Sequence, residues 1–299
     1  MEKNKTDRII SYALTDLPVR FLIAVTTQTV ETMNQIHETT PTAAAAAGRT
    51  LTATVMMGSL MKNDTDVITS IVKGDGPIGR ITATADNAGH VKCEILHPYT
   101  EVLIKEGGKL DVGKVVGNGT LTVIRDIGLK QPYVGQIELI SGEIAEDFTY
   151  YFAKSEQTPS VVSLGVFVGS GFHVTHAGGF LIQLMPGCPE EVTDYLEKRA
   201  PLLPSFTQML QKGYDEDDIA REIFGTVYPF HKTGELPVEY RCDCSREKIE
   251  KTLLALGKQE LADIVEDGEP IEVVCHFCNK KYNVTIDEIT ALLEASGEA

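Results

Sequence analysis

Positive charge is scarce in this sequence. Its 299 residues include 27 Lys and Arg against 43 Asp and Glu, which gives a net charge of −16 at pH 7. Lys and Arg supply the non-specific affinity of proteins for nucleic acids, and they also attract proteins to anionic membrane surfaces. The charge therefore argues against nucleic acid and against a membrane surface as partners.

Uninterrupted apolar segments are also missing. Met1–Arg8 leads into no apolar core of a secretory signal. Residues 157–189 carry no charge and are long enough to span a bilayer, but glycines and histidines interrupt them. Two strands, Val161–Val168 and Phe180–Met185, explain this stretch better. We therefore expect a cytoplasmic protein in a reducing compartment, where paired cysteines serve as metal ligands or redox groups.

No usable nucleotide-binding motif is present. The phosphate-binding sequence GxxxxGK[ST] does not occur, and Gly74–Gly79 matches GxGxxG only by letter. A dinucleotide site needs a helix directly after its glycines, whereas Ile81–Thr84 has the composition of a strand. We predict a turn between two strands at Gly74–Gly79, and the missing motif agrees with an absence of ATP use.

The remaining pattern predicts an α+β protein. Branched and aromatic runs at Arg8–Ala13 and Val19–Val25 favour strands, and more strands follow between residues 66 and 140. Thr40-Pro41 begins a helix that extends to about Met61, and Gly117-Asn118-Gly119 predicts a hairpin turn. With 42% hydrophobic residues the chain can bury a core. We divide it into a sheet-rich core domain, residues 1–185, a helical linker, residues 186–231, and a small cysteine-containing domain, residues 232–299.

This last domain has weak apolar patterning. Ser245 can cap a helix that ends at Gly257, and a second helix ends at Gly268. Ile271–Val274 and Lys281–Val284 flank a short turn as a small hairpin. A unit of this size is near the limit at which an apolar core suffices for stability without an additional cross-link, such as a disulfide or a bound metal, which we call a staple.

Four of the six cysteines supply that staple. Cys242 and Cys244 form a CxC pair, and Cys275 and Cys278 form a CxxC pair thirty residues later. Four thiolates around one tetrahedral ion make a closed structural zinc site. An iron–sulfur cluster is the main competing metal site, and His276 is an alternative ligand. The spacing therefore predicts one bound Zn²⁺ per chain.

A closed site disfavours hydrolysis and leaves structural support or redox sensing. Zinc holds thiols as thiolates, which is their reactive form, and an oxidant converts thiolates to sulfenic acids and then disulfides, with loss of the metal. A CxC disulfide closes a small, strained ring that is easily reduced again. Structural zinc contributes on the order of 10–16 kcal/mol to the folding of small metal domains. We therefore expect loss of zinc to unfold residues 232–299.

These motifs resemble those of a known family. The Cys242-Asp243-Cys244 and Cys275-His276-Phe277-Cys278 pairs, together with Gly74-Asp75-Gly76-Pro77 and the segment Gly178–Gly187, are similar to the redox-regulated thirty-three-kilodalton heat-shock chaperones. The similarity extends over essentially the whole chain. It implies an ATP-independent holdase, which is not an enzyme, that binds unfolding client proteins under oxidative stress.

The resemblance also implies a mechanism. The reduced, zinc-bound protein is inactive, and oxidation forms the disulfides Cys242–Cys244 and Cys275–Cys278 and releases zinc. The cysteine domain and linker then unfold, and the active form is a homodimer. We place the client surface on apolar residues of linker and core, namely Phe180, Leu184, Leu203 and Phe206.

Two other classes of function compete with this reading. A zinc ribbon that binds nucleic acid is disfavoured because residues 232–299 contain eight Lys and Arg against fifteen Asp and Glu. A thiol–disulfide oxidoreductase would carry its CxxC at the start of a helix in a βαβ unit, whereas this CxxC lies in a predicted hairpin. Outside the two pairs, we expect Cys93 to be a buried, inert strand residue, and Cys188 is a candidate reactive thiol at a helix entrance.

Overall fold

The computed structural model of the chain describes residues 6–295 and divides into two compact units, one up to Arg241 and one from Cys242. Residues 1–5 and 296–299, which belong to the predicted first and last domains, lie outside the described residues. Both units combine helices and strands, so the predicted α+β class is confirmed.

The first unit contains two sheets and seven α-helices among its described residues. Its strands are β1 (Arg8–Leu14), β2 (Val19–Val25), β3 (Val67–Gly74), β4 (Arg80–Asp86), β5 (His90–Ile95), β6 (Gly119–Asp126), β7 (Tyr133–Glu138), β8 (Ser160–Val168), β9 (Val174–Leu184), β10 (Phe230–Pro237) and β11 (Glu239–Tyr240). Its helices are α1 (Thr27–His37), α2 (Pro41–Gly58), α3 (Val112–Val116), α4 (Ala145–Lys154), α5 (Glu190–Arg199), α6 (Phe206–Gln211) and α7 (Glu216–Phe224). The first sheet has the order β10-β1-β2-β9-β8, and the second has the order β11-β5-β4-β3-β6-β7.

Helix α2 is the centre of this unit. Thr40 precedes it in an extended conformation and Pro41 occupies its first turn, as the sequence predicts. It packs against strands of both sheets, and its small side chains are almost all buried. A Cβ on Gly48 would lie 2.5 Å from Val30 Cγ1, so the glycine permits close packing that an alanine would disturb. The helix ends at Gly58 rather than near Met61.

Helices α5, α6 and α7 form a second layer on the other side of the first sheet. Strands β1, β2 and β9 turn every second side chain toward these helices, as the pleat of a strand requires. We call these sheet residues the covered face: Ile10, Tyr12, Leu14, Val19, Phe21, Ile23, Phe180, Ile182 and Leu184. The helices contribute buried residues that include Leu196, Phe206 and Phe224. Residues 186–231 are therefore packed on the sheet, and their role as a linker stays a prediction.

Two connections differ from the sequence predictions. Strand β10 pairs antiparallel with β1, so residues 230–237 lie in the first sheet although the predicted last domain begins at Lys232. This strand is at the sheet edge and mostly solvated, and its sequence lacks the apolar alternation that would reveal it. Gly117-Asn118-Gly119 joins α3 to β6 and is not a hairpin turn. Gly74–Gly79 does connect β3 to β4, which confirms that this GxGxxG is a turn between strands.

The second unit matches its predicted elements closely. It contains α8 (Arg246–Leu254), α9 (Lys258–Asp267), β12 (Ile271–Val274), β13 (Lys281–Val284) and α10 (Ile286–Ala295). Ser245 Oγ accepts the backbone N–H of Lys248 and so caps α8 as predicted. Among its described residues, the buried apolar side chains are few: Ile249, Leu253, Leu261, Tyr282, Val284 and Ile289.

Residues 157–189 form strands rather than a long helix. Strands β8 and β9 pair antiparallel through most of this stretch, as expected from its glycines. Within residues 6–295, no helix has both the length and the apolar character needed to cross a membrane.

Candidate metal centre

The four paired cysteines come from two irregular segments of the second unit. Cys242 and Cys244 lie in irregular chain just before α8, and Cys275 and Cys278 lie in the turn between β12 and β13. The turn is held by its own backbone, because the N–H of Cys278 and that of Asn279 both bond to the carbonyl of Cys275, at 3.3 Å and 2.8 Å. The hairpin and the cap of α8 thus aim all four side chains at one point.

The sulfur atoms form a compact cluster. All four Sγ atoms lie within 4.8 Å of one another, with Cys242 and Cys275 separated by 3.7 Å and Cys244 and Cys278 by 3.4 Å. A tetrahedral zinc site with Zn–S bonds of about 2.3 Å has sulfur–sulfur edges of about 3.8 Å. The donor type, number and spacing therefore fit a closed Zn²⁺ site.

The alternative ligand is not part of this cluster. His276 is exposed and is not grouped with the sulfur atoms. Among residues 6–295, the four cysteines are the one group of three or more Cys, His, Asp or Glu side chains arranged to hold a metal. The four-thiol ligand set is therefore the one that the geometry favours.

The metal-free sulfurs differ in their affinity for protons. Burial raises the pKa of Cys242 and of Cys278. Burial also acts to raise the pKa of Cys244, but hydrogen bonds from Tyr282 and from the neighbouring thiols outweigh it and lower that pKa. The contact with Tyr282 thus favours the thiolate form of Cys244.

Tyr282 is a site residue that the sequence reasoning missed. Its Oη donates to Cys244 Sγ at 3.1 Å, and this hydrogen bond raises the pKa of the phenol. In β13 the side chains of Tyr282 and Val284 are buried, whereas those of Lys281 and Asn283 are exposed. This alternation is the sequence signal that would have placed the tyrosine on the side of the cysteines.

The cluster is joined to the small apolar core. Cys244 and Cys275 pack against the core of the second unit, and all four cysteines are half-buried free thiols. Lys248 forms an ion pair with Asp243, the residue between the first two cysteines. The sulfurs are thus both part of the core and within reach of a small oxidant.

The two remaining cysteines have other environments. Cys93 lies in β5 with no exposed surface, and burial raises the pKa of its thiol, which confirms it as a buried strand residue. Cys188 is half-buried against the apolar layer under α5, and burial raises its pKa also. A raised pKa leaves Cys188 mostly as the less reactive thiol at neutral pH, so the environment does not favour it as a reactive site.

The predicted client residues are covered in this structure. Phe180 and Phe206 are buried, Leu184 is nearly so, and Leu203 is half-buried in the same layer. They lie between the first sheet and the helices of residues 186–231, because apolar side chains on both elements meet there. These residues are covered in this conformation, and their role as a client surface stays a prediction.

Comparisons with known proteins agree with this architecture. A family model described as Hsp33 protein matches residues 7–285. A 33 kDa chaperonin of Agathobacter rectalis is 46% identical over 284 residues, which cover 95% of this chain and 98% of that relative. A 33 kDa chaperonin of Clostridioides difficile is 48% identical over 277 residues, which cover 92% of this chain and 94% of that relative.

A solved structure gives the same result. The crystal structure of a 33 kDa chaperonin from Thermotoga maritima, described as a heat shock protein 33 homolog, is 36% identical to this chain and has a TM-score of 0.87. The match covers 99% of this chain and 100% of that one. The resemblance inferred from the cysteine spacing and the glycine segments is confirmed, and the chain belongs to the Hsp33 family of chaperones.

Proposed function

We propose that this protein is a redox-regulated, ATP-independent holdase whose switch is the four-cysteine cluster. The observation that carries the proposal is the convergence of four thiols in a unit with very few buried apolar residues. Such a unit depends on its staple, so chemistry at the sulfurs controls whether it stays folded.

The reduced protein holds one Zn²⁺ through Cys242, Cys244, Cys275 and Cys278. The ion supplies a tetrahedral cross-link and keeps the sulfurs deprotonated. Each pair of thiolates loses two electrons to one molecule of hydrogen peroxide, which takes up two protons from solvent, and the products are one disulfide and two molecules of water. The proposed disulfides join Cys242 to Cys244 and Cys275 to Cys278. A sulfur in a disulfide is no longer a thiolate ligand, so the unit loses its staple.

Residues 186–231 are the proposed linker and residues 232–299 the proposed sensor. When the sensor unfolds, the linker helices leave the first sheet and open the covered face to clients. That surface suits an unfolded chain, because it is continuous, apolar and rich in aromatic side chains such as Tyr12, Phe21 and Phe180. Phe206 and Leu203 contribute from the linker side.

The proposed partners are unfolded or partly folded proteins, and a second copy of the chain in the active homodimer. The proposed setting is the cytoplasm under oxidative stress. The net charge of −16 disfavours nucleic acid and anionic membranes. A catalytic role is not proposed, because the CxxC lies in a hairpin turn rather than at the start of a helix.

The test combines metal release with client protection. Zinc-loaded protein is treated with peroxide, and released zinc, disulfides and suppression of aggregation of a chemically denatured client are measured together. We expect zinc release and suppression to rise in parallel, and reduction to reverse the disulfides. A variant with Cys93→Ser and Cys188→Ser controls for the other thiols and should respond like the unmodified chain. Retention of zinc, or equal suppression before and after oxidation, would contradict the proposal.

A further inference from the structure

Two neighbouring cavities lie in the first unit, near the C-terminal end of α2. The larger, between β6, β7 and α4, has a volume of about 410 Å³, and the smaller, between α2, β2 and β9, has a volume of about 120 Å³. Arg125 and Glu156 line both cavities, so the two share a wall. The larger volume is within the range of cavities that bind small molecules. The charges at the shared wall indicate what kind of molecule that is.

Arg125 has a buried donor without an acceptor. Its Nη2 forms an ion pair with Glu156, and Glu156 Oε1 also accepts from Tyr151 Oη at 2.8 Å. Its Nε is buried and has no hydrogen-bond partner among residues 6–295. Buried polar groups in proteins are nearly always hydrogen-bonded, so this donor calls for an acceptor from outside the chain.

Arg20 adds a second cation at the same wall. It lines the smaller cavity and donates from Nε to Gln183 Oε1 at 2.9 Å, and no carboxylate of the described residues forms an ion pair with it. Partial burial and the nearby charge of Arg125 lower the pKa of Arg20. Glu156 and the C-terminal end of α2, which carries roughly half a negative charge, offset only part of the two positive charges. Positive charge is therefore in excess here, in a chain whose net charge is −16.

The free donors suit a carboxylate. The Nη groups of Arg20 can donate in parallel to its two oxygens, and Nε of Arg125 can donate to one of them. A single negative charge also matches the small positive excess better than the charge of roughly −1.5 to −2 on a phosphate ester.

Apolar side chains adjoin these donors. They are Val123, Tyr133 and Val134 in the larger cavity and Met57, Leu60, Met61 and Phe152 in the smaller one. Tyr133 is 60% exposed and Val134 is 61% exposed, and an apolar group in the larger cavity would remove part of this surface from water. A flat aromatic ring can pack beside the ring of Tyr133. The body of the ligand is therefore apolar and aromatic.

We propose that the two cavities form a binding site for an organic carboxylate with an aromatic body. The carboxylate is held between Arg20 and Arg125, and the ring packs in the larger cavity against Tyr133. Glu156 orients Arg125 and competes with the ligand for its charge. The site shares no residue with the four-cysteine cluster, and it does not depend on the proposed redox switch.

The test measures binding of phenylacetate to the full chain in its reduced, zinc-loaded form by isothermal titration calorimetry. We expect a Kd of about 1 mM or tighter. Arg20→Met should weaken binding about tenfold or more, because the carboxylate loses its charge-assisted hydrogen bonds. Glu156→Gln should tighten binding about threefold or more, because it removes the competing charge and keeps an acceptor for Tyr151. Arg80→Met removes an exposed arginine of β4 that pairs with Glu94, and this matched control should bind as the unmodified chain does.

Three further probes define the ligand. Phenylacetamide lacks the charge, and equal affinity for it would overturn the role of the carboxylate. Phenyl phosphate that binds more tightly than phenylacetate would overturn the choice of a carboxylate over a phosphate. N-acetylphenylalanine presents the carboxylate as the C-terminus of a polypeptide does. If it binds more tightly than phenylacetate, the site takes chain ends, and if it binds more weakly, the site takes free acids; the carboxylate site is supported in both cases.

The variants separate binding from damage to the fold. Failure of phenylacetate to bind at about ten times the expected Kd overturns the site. Equal affinities in Arg20→Met, Glu156→Gln and the unmodified chain also overturn it. Weaker binding in Arg20→Met without tighter binding in Glu156→Gln counts against it too, because the first substitution then acts by disturbing β2. Opposite changes in the two variants, with none in Arg80→Met, support the site, since a damaged fold does not bind more tightly.

Discussion

Removal of the metal under reducing conditions should unfold the second unit and leave strands β3 and β6 of the first unit folded. The core of the second unit contains six buried apolar residues among those described, whereas structural zinc supplies on the order of 10–16 kcal/mol in small metal domains. Helices α8, α9 and α10 have 9, 10 and 10 residues, about three-tenths of the α-helical residues described. We therefore expect the helical signal in far-ultraviolet circular dichroism to fall by at least about that fraction, and by more if α5–α7 unfold on leaving the first sheet.

The assay needs a chelator and a thiol reductant together, so that metal loss is separated from disulfide formation. Addition of Zn²⁺ should restore the signal, and the Cys93→Ser/Cys188→Ser variant should behave in the same way. Amides of β3 and β6 should keep their slow hydrogen exchange throughout, because these strands belong to the first unit. A helical signal that survives chelation would show that the small core is sufficient and would refute the staple. Loss of protection in β3 and β6 would refute the independence of the first unit.

Three further predictions follow from individual contacts. Tyr282→Phe removes the hydrogen bond to Cys244 at 3.1 Å and leaves a more nucleophilic sulfur. Peroxide should therefore release zinc from this variant faster than from the unmodified chain at the same pH. An unchanged rate of zinc release would contradict this prediction. Phe224→Ala removes a fully buried ring from α7 and should lower the free energy of unfolding by about 3–5 kcal/mol, measured by urea denaturation. Gly48→Ala should lower the free energy of unfolding by about 1–3 kcal/mol in the same assay, because the added Cβ would lie 2.5 Å from Val30 Cγ1. This cost should exceed the gain from the higher helix propensity of alanine. A gain in stability would show that Val30 can move aside.

The metal centre is the part that local sequence determined most fully. Cys275 and Cys278 are close in sequence, as are Cys242 and Cys244, so each pair needs only a tight turn or a short extended segment to converge. Ser245, Gly257 and Gly268 mark helix ends by local chemistry, and the structure places α8 and α9 between them. Local hydrogen bonds decide such features, so the sequence is sufficient to predict them.

Local sequence patterns could not predict contacts between segments that are far apart in the chain. Strand β10 lies at a sheet edge and lacks a regular alternation of apolar residues, and only its pairing with β1, more than two hundred residues earlier, defines it as a strand. A glycine inside a helix ordinarily weakens it, yet the close approach of Val30 requires Gly48 in α2. In both cases the deciding contact is with a residue outside the local segment, so the propensity and periodicity of that segment cannot predict the contact.

The sequence by itself determined the α+β class, the four-thiol cluster and the family. The tertiary structure decided which surfaces are covered. Apolar patterns in β1, β2, β9 and α5–α7 show that each element must bury a face, but they do not specify which faces meet. The structure pairs them, which buries Phe180 and Phe206 and brings Arg8 onto Glu216. A side chain on one of these elements is buried only if another element packs over it, and the tertiary fold decides which element does so.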